Sequence, residues 1–161
     1  MATGTPILRQ VSWLVAIPSL LVLAAAATTG QYVGGTFGMF VALACYIGYT
    51  IAVRSLVARE HRNGIRLVRR KRFSEAISHF EQSFTFFDRH RWLDAWRGII
   101  LLSSSKASYR EMALLNTAFR FSKVGEGTRA ADTYRRCLEL FPNSGVAESA
   151  LRMLESVRPR A

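Results

Sequence analysis

The chain has 161 residues, with 22 Lys and Arg against 11 Asp and Glu and a formal charge of +11, enough for one small domain plus additions. All eleven acids and 21 of the 22 basic residues lie at or after Arg54, with only Arg9 before it, so the two parts of the chain are built for different solvents. Cys45 and Cys137 are the only cysteines and fall one in each part, which excludes a disulfide framework and agrees with a reducing compartment.

From Gln10 to Val53 run 44 residues without a charge or a histidine, and a bilayer core needs about 20 helical residues per crossing. The stretch predicts a transmembrane helical hairpin within residues 1–53, with spans at about 12–28 and 33–53 and a tight turn over 29–32. A rival reading makes the first span a cleaved signal peptide, because residues 21–27 end in small side chains; even then the second span would remain. Gly34, Gly38 and Ala42 recur every four residues, with Gly48 in a second row of small side chains. Such rows let membrane helices approach, within the hairpin or against another subunit.

The second span is followed at once by Arg54, Arg59, Arg62, Arg66, Arg69, Arg70, Lys71 and Arg72. Basic residues flanking a span are retained in the cytoplasm, so both termini are expected there, at a membrane of the bacterial inner (plasma) type. Residues Arg59, Arg66, Arg69, Arg70, Lys71 and Arg72 are further expected at the membrane surface, where each contributes about 1 kcal/mol beside anionic headgroups. At 100° per residue this run is an amphipathic helix, its arginines opposite Leu56, Val57, Gly64, Leu67 and Val68. It is expected to continue the second span, since no Pro intervenes.

Residues 73–88 predict the next helix, with Ala76, Ile77, Phe80, Ser83, Phe84 and Phe87 inward. Residues 91–105 predict another, its apolar stripe Trp92, Leu93, Trp96, Ile99 and Ile100, its end marked by the serines at 103–105. Ser108 and Glu111 form a capping-box pattern ahead of a further helix. Gly125 to Gly127 break the chain before Thr128 opens the next, and Pro142 with Asn143 ends it. A last helix over 146–157 turns Ala147, Ala150, Leu151 and Leu154 inward as a cap.

Two of these helix pairs resemble the tetratricopeptide repeat (TPR), a 34-residue helix–turn–helix unit. Numbered from Val57, residues Gly64, Leu67, Ala76, Phe80, Ser83 and Asp88 take positions 8, 11, 20, 24, 27 and 32. Numbered from Glu111, residues Leu114, Ala118, Phe121, Ala130, Tyr134, Cys137 and Pro142 take positions 4, 8, 11, 20, 24, 27 and 32. Small residues at 8 and 20 admit close helix approach, and aromatics at 11 and 24 fill the space beside them. The resemblance implies an all-α fold in residues 54–161: repeats over 57–90 and 111–144, an extra helix over 91–105 filling the gap between them, and a cap over 145–158. It also implies a protein-interaction scaffold, whose partner it does not name.

No catalytic set emerges. His61, His79 and His90 share no metal-ligand spacing with one another or with a cysteine, and no phosphate loop, nucleophile elbow or HExxH occurs. The sequence thus predicts a chain that is no enzyme and holds no metal or cofactor. TPR proteins that grip acidic peptide ends do so with basic and Asn residues at positions 5 and 9. Here those positions hold His61, Ile65, Leu115 and Phe119. That pattern is absent, and Arg62, Asn116, Phe119, Arg120 and Lys123 are the candidates for partner contact. The reading is a membrane-anchored adaptor for a protein partner, aiding assembly of a membrane complex. Its alternative is a membrane-tethered RNA or ribosome binder using the basic face of residues 59–72, which core placement of the aromatics disfavours. A third is a subunit of an enzyme whose chemistry lies in another chain.

Overall fold

The computed structural model describes residues 13–97, 100, 105 and 107–157, and among them every regular element is a helix. These are α1 (Trp13–Val57), α2 (Arg59–Arg69), α3 (Phe73–Arg89), α4 (Arg91–Ala95), α5 (Tyr109–Lys123), α6 (Gly127–Leu140) and α7 (Gly145–Val157). They form two units: Met1–Leu56 with Ala95–Ser108, and Val57–Asp94 with Tyr109–Ala161.

In the first unit α1 breaks at one place. Gly34 (φ −135°, ψ 21°) and Gly35 (φ 60°, ψ −153°) leave helical geometry, and the left-handed φ of Gly35 is a conformation that glycine adopts without a Cβ penalty. Across this break Gly30 and Gly38 meet so closely that a Cβ on Gly30 would lie 2.5 Å from the Gly38 carbonyl oxygen and 2.8 Å from Ala42 Cβ. Residues eight apart in an unbroken helix are separated by about 12 Å, so the two arms of α1 fold toward each other.

Two expectations are corrected by this geometry. Residues 29–32, expected as the turn, are helical; Gly30 is consumed in the close contact, and the Gly34–Gly35 pair supplies the reversal. The packing row is then Gly30, Gly38 and Ala42, whereas Cβ atoms on Gly34 or Gly48 would meet nothing within 4 Å. Large apolar side chains of α1 point outward, Leu21 being 65 % and Phe37 79 % exposed. Among the described residues one helical stretch, Leu20–Val57, is long and apolar enough to cross a membrane.

The second unit is a serial stack in which α2 packs on α3, α3 on α5, α5 on α6 and α6 on α7. The basic run does not simply prolong α1: helical geometry is interrupted at Ala58 (φ −94°, ψ 22°), and α2 starts afresh at Arg59. Its arginines are exposed, while His61 and Gly64 are buried. The six residues expected to face inward from α3 are its buried residues.

The pairs α2–α3 and α5–α6 share one construction, offset by 54 residues. Each turn has a left-handed residue, Lys71 (φ 60°) or Gly125 (φ 85°). The next N–H donates five residues back, Arg72 to the Leu67 carbonyl at 3.0 Å and Glu126 to the Phe121 carbonyl at 2.9 Å. The following helix is opened by Ala76 N–H to Arg72 O in one pair and by Ala130 N–H to Glu126 O in the other. An ion pair three residues apart spans both helix starts with its charges exchanged, Arg72 with Glu75 and Glu126 with Arg129.

Small residues face aromatics inside each pair. A Cβ on Gly64 would lie 2.8 Å from the Phe80 ring, and Ala118, Ala130 and Tyr134 occupy the corresponding buried places. Helix α6 opens at Gly127 rather than Thr128, with Glu126 as N-cap. Pro142 lies exposed in the turn beyond α6. From α7, Ala147 is buried and Ala150, Leu151 and Leu154 pack on the core, as the pattern of the last helix predicts.

The extra helix is different. Helix α4 ends at Ala95, α3 packs directly on α5, and Ala95–Ser108 group with the first unit. Leu93 of the expected stripe is buried, but Trp92 and Trp96 are exposed; Ile99 and the serines at 103 and 104 lie outside the described residues, as does residue 12 of the first span. Asp94 is buried, its Oδ1 accepting the Tyr109 N–H at 2.8 Å.

Two outcomes follow from this packing. Gly64→Val forces methyls into the fully buried Phe80 ring and is expected to cost about 2 to 3 kcal/mol; an unchanged urea midpoint of the full chain in detergent would refute the register of α2 on α3. His61 lies edge-on to Phe80 and Tyr109, with Nδ1 3.4 Å from Ser83 Oγ, and burial lowers its pKa from 6.5 to about 4. The unfolded chain therefore binds the proton more readily, so this contribution is complete above pH 6.5 and drains away as pH falls through about 4. Up to about 3 kcal/mol should be lost, seen as a urea midpoint that falls on acidification more steeply in the parent than in His61→Phe.

Candidate functional site

Three of the five residues expected at a partner surface come together on α5. Phe119 is half-buried, with the Arg120 guanidinium 4.8 Å and the Lys123 Nζ 5.3 Å from its ring centroid. Helical spacing brings this about, since residues four apart share a face. The Arg120 guanidinium also lies 5.8 Å from the Phe73 ring of α3, so one cation sits among two aromatic faces, which attract it electrostatically.

Arg120 is the unusual member. It is only 5 % exposed, and its Nε and Nη1 have no hydrogen-bond partner. Burial pulls its pKa below the ordinary value, the neighbouring Tyr134 opposing that shift, yet a guanidinium stays charged at neutral pH. A buried charge without an acceptor is costly, so this cluster has unused capacity for an incoming carboxylate, carbonyl or hydroxyl oxygen. Lys123 is exposed beside it and extends the positive field to solvent.

The other two candidates stand apart from this cluster. The Asn116 amide donates to the Met112 carbonyl at 2.8 Å within its own helix, and Arg62 is exposed on α2. Arg59, Arg66, Arg69, Arg70, Lys71 and Arg72 are likewise exposed, Arg72 being paired with Glu75.

A second feature has no counterpart in any sequence motif. Helices α3, α5 and α6 border a cleft of about 430 Å³ lined by Glu81, Phe84, Asp88, Leu114, Thr117 and Arg136. The Thr117 hydroxyl is buried there without a partner, and Arg136 stands 4.9 Å from the Phe84 ring centroid. Arg110 donates to Asp88 at 2.6 Å beside it. These residues come from three helices, so only packing assembles them; the one sequence signal was an aromatic-rich α3 facing a basic α5.

Burial first, and the Glu111 carboxylate second, push the Cys137 thiol up to about 12, so it is no thiolate nucleophile at neutral pH. Burial also pushes the Tyr134 hydroxyl up to about 12. Among the described residues no three His, Cys, Asp or Glu side chains are grouped as a metal would require. Compared with known proteins, the chain matches no family model, no curated sequence and no solved structure.

Proposed function

We propose that this protein is a membrane-anchored adaptor whose TPR-like stack docks a protein partner through the Phe119, Arg120 and Lys123 cluster. The two arms of α1 cross the bilayer as a hairpin, and the arginines of α2 keep the stack on the cytoplasmic side of a bacterial inner membrane. Support for the anchor comes from the outward apolar side chains of α1 and its reversal at Gly34 and Gly35. The repeated turn geometry of α2–α3 and α5–α6 supports the TPR-like reading.

The observation that carries the binding role is the pair of unpartnered N–H groups on buried Arg120. A merely structural arginine at this depth would be paired, because desolvating it without an acceptor costs stability. An acidic or carbonyl-bearing partner segment supplies the acceptor, while Phe119 offers apolar area. The exposed basic face of α2 favours a second reading, tethering of RNA, whose affinity falls steeply with salt.

A photo-crosslinking residue at Lys123 in native membranes tests this. A discrete protein adduct, resistant to nuclease, is expected in the parent and at least tenfold less of it in Arg120→Met. The same substitution should stabilise the chain by about 1 to 3 kcal/mol, since it replaces a buried uncompensated charge by an apolar side chain. No adduct, or an adduct that Arg120→Met leaves undiminished, refutes the docking role; one abolished by nuclease transfers it to nucleic acid.

A further inference from the structure

The cleft bordered by α3, α5 and α6 lies apart from the cluster of Phe119, Arg120 and Lys123, none of which lines it. Its volume of about 430 Å³ is that of the smaller ligand sites, which run from about 300 to 1,000 Å³. Phe84 and Leu114, both buried, give it an apolar floor.

Three threonines line this cleft, and two of them are satisfied within their own helices. Thr85 Oγ1 donates to the Glu81 carbonyl at 3.0 Å, and Thr133 Oγ1 to the Arg129 carbonyl at 2.7 Å, each four residues back. Such a bond is the usual recourse of a helical threonine. Thr117 does not make it: the residue is 3 % exposed and its Oγ1 has no partner. Buried hydroxyls are nearly always bonded, so an unbonded one in the wall of a cleft is a place for a polar atom brought in from outside.

The charges at the rim define what else that molecule carries. Asp88 is held by Arg110 at 2.6 Å. Neither Arg89 nor Arg136 is paired with a carboxylate among the described residues, and both are exposed. The Arg136 guanidinium stands 4.9 Å from the Phe84 ring centroid, which holds it at the edge of the apolar floor. Setting Glu81 against these two arginines leaves a single net positive charge. A monoanion matches that charge, whereas a phosphate dianion exceeds it.

We propose that this cleft binds a small monocarboxylate with an aromatic or apolar body and a polar far end. The carboxylate meets Arg89 and Arg136, the body lies on Phe84 and Leu114, and the far end bonds to the Thr117 hydroxyl. The site does not depend on the docking role of Arg120.

The test titrates the full chain, in dodecyl maltoside, with para-hydroxyphenylacetate and follows binding by saturation-transfer difference NMR against empty micelles. Saturable binding is expected, weaker by about tenfold in Thr117→Val and in Arg89→Gln/Arg136→Gln. Thr117→Ser, which keeps the hydroxyl, and Arg120→Met should bind as the parent does. No saturable signal above the micelle blank refutes the proposal, as does binding that neither Thr117→Val nor the double glutamine variant weakens. Binding lost in Arg120→Met alone places the probe at the docking cluster and also refutes it. Phenyl phosphate binding more tightly than phenylacetate overturns the assignment to a monocarboxylate. Should Thr117→Val misfold by circular dichroism, the double glutamine variant, altered only at exposed positions, decides.

Discussion

Helices pack at short range only where one of them offers almost no side chain, and the C-terminal unit depends on that constraint twice. In the first pair, Gly64 leaves the room that the Phe80 ring takes, with a separation that even one added carbon would violate. In the second pair, fully buried Ala118 shares a cluster with Tyr134 and fully buried Ala130 shares one with Phe121. The turns are cut to match, since a left-handed residue and a five-residue return bond set the angle at which each second helix leaves the first. Lys71 stands where Gly125 stands in the other copy, so the first turn carries a strained residue that the second avoids.

A stack made this way is polar at its surface and almost wholly apolar within, which makes its buried charges informative. Asp94 accepts the backbone N–H groups of Tyr109 and Arg110. Arg110, only partly buried, is held by Asp88 and lies over the rings of Phe84 and Phe141. Arg120 has aromatic faces but no acceptor for two of its donors. The first two are structural by their own bonding, and on the third rests the docking role proposed above.

The N-terminal unit obeys the same rule of close approach in another setting. Gly30 against Gly38 brings backbone to backbone, and the side chains left over, Leu21, Val33 and Phe37 among them, turn outward. In water this arrangement would leave exposed the apolar area that folding ordinarily hides. The bilayer anchor proposed above removes the conflict, since a helix leaves no backbone group unpaired in lipid.

Much of the architecture was legible in the chain itself. The 44 uncharged residues marked out an element apart, and the inward set of α3 followed from spacing alone, because helical periodicity places side chains before any partner is known. The match of Gly64, Ala76 and Phe80 with Ala118, Ala130 and Tyr134 likewise exposed the internal repeat. Tertiary packing decided the rest: that Gly30 packs while Gly34 turns, that α3 meets α5, that Asp94 is buried, and that two Arg120 donors lack an acceptor. Local sequence specifies which face of a helix is apolar, but which surface will cover that face, and which polar group will be stranded behind it, depends on distances between segments that no periodicity encodes.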